Sequence, residues 1–226
     1  MSQFPATALT VGGDNPFLPS LLGAINHADD IAIATAFIRM TGVRLIQPAL
    51  EDALDRGARV RILTGDYLGV TDPKALRYLM LLQEQGADVK VFESEGKTSF
   101  HMKAYLFTRS ETADRREGCA FIGSSNLSHA ALVSGLEWNF KIDEAEDHER
   151  FANILIEYET LYANPSCKAL SHQWIDAYIK RIPDAASAPP TSEPGQDEQE
   201  VPPKPNSIQE KALEALADSR QKGYRR

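Results

Sequence analysis

Three short apolar runs, separated by stretches whose apolar residues recur at helical spacing, constrain the fold more than any other feature of this chain. Residues 30–38 (DIAIATAFI), 59–64 and 88–92 are apolar and rich in β-formers, as strands buried on both faces are. A helix is predicted before the first run. Asn15 reads as its N-cap and Pro16 as its first helical residue, with Leu18, Leu21, Leu22 and Ile25 on the apolar side. A second helical stretch, restarted at Pro48, runs to Arg56, and a third is capped by Asp72 and Pro73 and ends at Gly86. Strands alternating with helices in this way pair in parallel through right-handed crossovers. The predicted fold class is therefore α/β: a mixed, largely parallel β-sheet flanked by helices on both faces.

After Gly96 the pattern changes. Two short strands, 103–108 and 119–123, are predicted to form a hairpin around a polar loop rich in Arg, Glu and Asp. A short helix over 128–133, a strand over 136–142 and a long helix over 146–162 follow. A last helix holding Trp174 and Tyr178 closes the domain near Ile182. Phe37, Phe92, Phe121 and Trp138 are expected in the core. This gives one domain over residues 1–182. Residues 183–205 (PDAASAPPTSEPGQDEQEVPPKP) have almost nothing apolar to bury and read as a Pro-rich acidic linker. Residues 206–226 place Ile208, Ala212, Leu213, Ala215 and Leu216 at helical spacing.

A formal charge of -8 argues against a protein that coats polyanions generally, but leaves room for a local phosphate site. No run approaches the roughly 20 apolar residues needed to span a bilayer, and the first ten residues lack the basic start and apolar stretch of a signal peptide. With only Cys119 and Cys167 as cysteines, a cytoplasmic protein without a membrane partner is expected.

The chemistry concentrates after the third strand. His101 and Lys103 are two residues apart at the head of a predicted strand, so their side chains share a face. A neutral imidazole can attack phosphorus, and a fixed ammonium can hold the non-bridging oxygens. Ser124 and Asn126, at the end of the adjoining strand, also share a face and offer neutral donors. Glu137 stands near the start of the next strand, where a carboxylate can accept the proton on the other imidazole nitrogen. Each piece alone has a plain reading: a chance HxK, a tight turn with an N-cap, a solvated glutamate. In order, HMK, then GSSN, then a glutamate eleven residues after the asparagine, they resemble the HKD signature of the phospholipase D superfamily, and the resemblance covers residues 15–180.

The resemblance implies a metal-independent phosphodiesterase without a cofactor. It gives His101 the role of the nucleophile that forms a phosphohistidine. Lys103 and Asn126 hold the phosphate, Ser124 is a supporting donor, and Glu137 is the partner that orients histidine. The family uses two such motifs, and none of His27, His129, His148 or His172 lies in a second HxK, so a homodimer is implied. Two features depart from the pattern. Thr108 stands where an aspartate is frequent, and the loop over 109–118 is long; its Arg109, Arg115 and Arg116 either meet substrate or are a solvated hairpin tip. Thr64, Gly65 and Asp66 follow a strand where α/β proteins bind ligands, or simply end it.

Residues 205–226, with Pro205, Ile208 and Gln209, resemble the approach to the ATP-binding loop of a superfamily 2 helicase. The other reading is an ordinary amphipathic helix. The resemblance implies the detached N-terminal domain of a longer helicase or restriction-type protein, with ATP needed only by the missing helicase part. It makes DNA, or RNA, the expected partner. Two alternatives stand beside this nuclease: an inactive nucleic-acid-binding module, and a lipid phosphodiesterase, which would call for an apolar or basic amphipathic interfacial surface that the sequence does not show.

Overall fold

The computed structural model describes residues 4–66, 69–94, 99–112 and 115–182. The predicted linker over 183–205 and the helicase-like segment over 206–226 lie outside the described residues, as does the Arg115 side chain. Among the described residues eight strands form one sheet: β1 (Leu9–Thr10), β2 (Asp30–Thr35), β3 (Arg59–Gly65), β4 (Asp88–Phe92), β5 (Lys103–Thr112), β6 (Arg115–Gly123), β7 (Asn139–Asp143) and β8 (Cys167–Ala169). Their order across the sheet is β1-β7-β6-β5-β2-β3-β4-β8. Five α-helices among the described residues accompany them: α1 (Phe17–His27), α2 (Met40–Asp55), α3 (Pro73–Glu84), α4 (His148–Tyr162) and α5 (His172–Arg181).

The three apolar runs form the expected parallel core, β2-β3-β4. Outside them, the described residues show parallel pairing only as an isolated bridge between Ile38 and Leu127. Every other neighbouring pair is antiparallel, so the sheet is mixed but not largely parallel. For β5 and β6 the reason lies in the connection, since a turn this short can only join antiparallel strands.

Helices lie on both faces, and the alternation of side chains along each strand sorts what they touch. Ile31 and Ile33 of β2, Ile62 of β3 and Phe121 of β6 join one buried cluster with Phe17 of α1, Ile46 of α2, Leu79 of α3 and Tyr178 of α5. The intervening Ala32, Ala34, Leu63 and Ala120 join Phe151, Tyr158 and Tyr162 of α4 on the other face. Small residues on that face let a single helix lie close to the sheet.

Several local predictions change. Asn15 does not cap α1. Pro16 stands at the cap without a side-chain bond, while the backbone of Asn15 pairs with that of Gly12 and its amide donates to Leu9 O (3.2 Å). β2 stops at Thr35, and α2 runs unbroken through Pro48, which is exposed. The hairpin is longer than predicted: Arg109 pairs with Glu117 and Ser110 with Arg116, so most of the expected loop is strand. Arg109 donates to His27 Nδ1 (2.9 Å), and Arg116 pairs with Glu144 (2.7 Å). Both arginines are held within the fold. β7 begins at Asn139, which leaves Glu137 in the segment before it. Five residues, Ala130–Ser134, form a π-helical turn in place of the predicted short α-helix. β1 and β8, of two and three residues, are too short to leave a periodic signal.

Asp72 behaves as predicted and does more. Its carboxylate accepts from Lys74 N (2.8 Å) to cap α3, and from Met40 N (3.2 Å) at the start of α2. We expect Asp72→Ala to cost about 1–2 kcal/mol by removing a cap. Thermal unfolding would then begin roughly 2–8 °C lower for a chain of this size. An unchanged midpoint would show that water replaces both bonds without loss.

Candidate active site

The carboxyl edge of the parallel core is where the candidate residues meet, and strand direction brings them there. β5 runs antiparallel to β2, so its first residue, Lys103, pairs with Thr35, the last residue of β2. β6 returns antiparallel to β5 and ends at Gly123, opposite Asn139 of β7. The start of β5 and the end of β6 therefore share one edge, and residues 101–103 and 124–126 are neighbours although some twenty residues separate them. Just before His101, Phe100 is buried, stacked on Phe92 with ring centroids 5.2 Å apart. That anchor fixes where the chain enters β5.

Lys103 is 7% exposed, and its Nζ lies 2.8 Å from His101 Nδ1 and 3.2 Å from Nε2, also donating to His101 O (3.1 Å). An ammonium at this distance can donate to whichever ring nitrogen carries no proton. Burial pushes the Lys103 pKa below the ordinary lysine value, while the nearby Glu137 carboxylate pulls it back up. His101 itself is exposed, as an attacking group must be.

Ser124 donates its hydroxyl to Glu137 Oε2 and accepts from Trp138 N (3.1 Å), while Ser124 N donates to Trp138 O (2.9 Å). Asn126 is 8% exposed, and its Oδ1 accepts from Phe37 N (3.3 Å) just past β2. The structure thus brings all five candidates to one edge, in two contacting pairs beside Asn126. It differs in one connection: the Glu137 hydrogen bond goes to Ser124 rather than to His101. The cause is that Glu137 precedes β7 and lies beside the turn after β6.

Thr64, Gly65 and Asp66 read here as the end of a strand. Asp66 accepts from Ser94 N (2.9 Å) and lies 3.6 Å from Arg181, and Gly65 packs against Phe100. Thr108 pairs with Asp30 and Gly118 within the sheet. Among the described residues no group of three or more His, Cys, Asp or Glu is placed to hold a metal ion, and no helix is long and apolar enough to cross a membrane.

The site also has features that the sequence hid. Trp138, expected in the core, is 68% exposed. It stands with the exposed Met102, Ile122, Leu136 and Phe140 on the segments that carry the site residues. Ile122 and Phe140 are direct partners across β6 and β7, on the face of α4 but beyond its reach. An apolar surface absent from the sequence reading therefore borders the site; its members come from three segments, and only Leu136, Trp138 and Phe140 share a strand-like spacing. Tyr105, buried in β5, donates its hydroxyl to Ser125 O (2.9 Å), tying β5 to the Ser124–Asn126 turn.

The family model described as "Cardiolipin synthase, PLD-like domain" matches residues 21–158. Among solved structures, NucT from Helicobacter pylori is similar at 20% identity with a TM-score of 0.55, covering 71% of this chain and 96% of that one. Nuc from Salmonella typhimurium, described as a phospholipase D family member, is similar at 17% identity and a TM-score of 0.55, covering 71% and 95%. The phosphatidylserine synthase of Haemophilus influenzae Rd KW20 is similar at 16% identity and a TM-score of 0.52, covering 78% and 45%. At these identities the likeness to the solved structures is one of fold. No curated protein matches the chain.

Proposed function

The chain belongs to the phospholipase D-like family, and on that premise we propose that it is a metal-independent phosphodiesterase that cleaves DNA through a phosphohistidine on His101. The observation that carries this reading is the contact between the exposed imidazole of His101 and the buried amine of Lys103, 2.8 Å apart at the sheet edge where the Ser124–Asn126 turn also lies. A phosphodiester seated there would meet a nucleophile and a fixed positive charge together.

In the proposed reaction a ring nitrogen of His101 attacks phosphorus. A P–N bond forms and the P–O bond to the leaving alcohol breaks, with Lys103 and Asn126 on the non-bridging oxygens. The leaving oxygen takes a proton from His101 of the partner subunit. Water then attacks the phosphohistidine, the second imidazole accepts its proton and the P–N bond breaks. The Ser124 hydroxyl turns from Glu137 to the phosphate as substrate enters, which frees the carboxylate to orient the imidazole. The exposed apolar group Met102, Ile122, Leu136, Trp138 and Phe140 supports a second copy docking beside the site. The likeness of residues 205–226 to the start of a helicase supports DNA as the substrate and a longer helicase or restriction protein as the setting.

The test is hydrolysis of labelled single- and double-stranded DNA in EDTA over a range of protein concentrations. We expect cleavage that resists the chelator and a specific activity that falls on dilution as dimers separate. Loss of activity in EDTA overturns the metal-independent chemistry. DNA binding without cleavage by a dimeric protein supports the alternative of an inactive binding module. The apolar border also favours a second reading, a lipid phosphodiester, and vesicle-dependent turnover would support it.

The lowered Lys103 pKa sets a pH signature. The charged form holds phosphate, so kcat/KM is expected to fall as pH rises through a value below the usual lysine pKa of about 10.4. Stability moves the other way. Between the folded and unfolded pKa values the unfolded chain binds more protons, so this group contributes a rise in stability with pH. Lys103→Arg should shift the alkaline limb of kcat/KM upward; a limb that stays in place would assign it to another group.

A further inference from the structure

We propose that Asn139 is a positioning residue of the site, fixing the Ser124–Asn126 turn from beneath through Ser125, with β1 completing the arrangement through Thr10. The inference rests on the phosphodiesterase reading for its kinetic part only. Ser124 and Asn126 face the site, so the residue between them turns inward. Ser125 is fully buried, and its hydroxyl donates to Ala131 O (3.2 Å). Having given its proton, that oxygen must accept from elsewhere, and Asn139 Nδ2 donates to it at 2.8 Å. The same amide group donates to Thr10 Oγ1 at 3.2 Å. Asn139 is 1% exposed and Thr10 fully buried.

This chain of bonds joins two strands, β1 and β7, to the turn that follows β6. β1 is two residues long and pairs only with β7, with Thr10 directly opposite Asn139. Beside it, Gly12 (φ +75°) packs so closely that a Cβ would lie 1.9 Å from Gly135 O and 2.9 Å from Glu137 N. The N-terminal segment is thus fitted to the loop that carries Glu137 as well as to the turn that carries Ser124 and Asn126. A network this buried has few alternative geometries, because each broken bond strands a polar group away from water. Holding phosphate-binding groups to within a fraction of an ångström is worth up to about 10²-fold in rate.

The experiment compares Asn139→Ala, Thr10→Val and Thr10→Ser with wild type in the full chain, using bis(p-nitrophenyl) phosphate and amide hydrogen exchange. Asn139→Ala is expected to lower kcat roughly 10- to 100-fold with KM within about threefold. Thr10→Val, which keeps shape and loses the acceptor, should lower kcat several-fold. Thr10→Ser should restore it. In both impaired variants the Ser124 amide, bonded to Trp138 O in the native state, should exchange faster while β2 and β3 stay protected. Wild-type kinetics in a folded Asn139→Ala variant would overturn the proposal. So would faster exchange throughout the chain, which would mark a role in global stability, or a Thr10→Ser variant no better than Thr10→Val. If wild type itself fails to hydrolyse the ester, the functional reading fails, and exchange at residues 124–126 alone decides whether Asn139 fixes the turn.

Discussion

Replacing His101 with alanine is expected to lower kcat for phosphodiester hydrolysis by a factor on the order of 10⁴ or more, leaving only what positioning and charge achieve without a nucleophile. The effect is large because nothing nearby can substitute. Lys103, the group in contact with His101, is needed in its charged form, and Ser124 and Glu137 are engaged with each other. His101 is exposed and outside any regular element, so the fold has little to lose. Activity should therefore collapse while the unfolding midpoint stays within about a degree or two of wild type, as expected for a surface change. Gel electrophoresis under alkaline conditions, which preserve phosphohistidine, should show phosphate trapped on wild type and none on the variant. A variant retaining more than a tenth of the rate would move the nucleophile elsewhere.

Gly123→Ala is expected to damage fold and activity together. A Cβ on Gly123 would lie 2.0 Å from Trp138 O and 2.7 Å from both Asn139 Cα and Asn139 Oδ1. Two of these atoms are backbone, at the start of β7 and in the residue before it, so moving a side chain alone cannot make room. β6 and β7 would have to separate at the end that carries the site, breaking the bond from Ser124 N to Trp138 O. Overpacking of this kind costs about 3 kcal/mol. For a chain of this size that corresponds to a midpoint lower by roughly 6–12 °C. The rate should fall further than the loss of folded protein explains, because Ser124 and Glu137 both hang on the displaced segment. Differential scanning calorimetry with kinetics at a temperature where the variant is folded would check this. A variant with native stability and native rate would show that the sheet is more compliant here than its geometry implies.

The two variants mark the boundary between what could be read along the chain and what could not. HMK and GSSN were legible because the alternation of a strand places alternate side chains on one face, whatever the strand packs against. The buried runs over 30–38, 59–64 and 88–92 were legible for a related reason: a strand covered on both sides must be apolar throughout, and that demand is local. Asp72 could be read as a cap because capping joins residues two apart.

Other features depended on partners far away in sequence. Glu137 was picked out by its order after GSSN, but its bond to Ser124 follows from where β7 begins, which pairing with β6 decides. Trp138 looks like any core aromatic in the sequence; it is exposed because α4 covers Ala120 and Ile142 and ends short of Ile122 and Phe140. Asn139 carried no signal, since its partners Thr10 and Ser125 lie 129 and 14 residues away. By itself the sequence determined the longer elements, the buried runs of the parallel core and the residue types that phosphodiester chemistry would need. Tertiary structure alone decided which side chains touch, because the direction of β5 and β6 against the parallel core, and the reach of one helix, are settled by packing between distant segments.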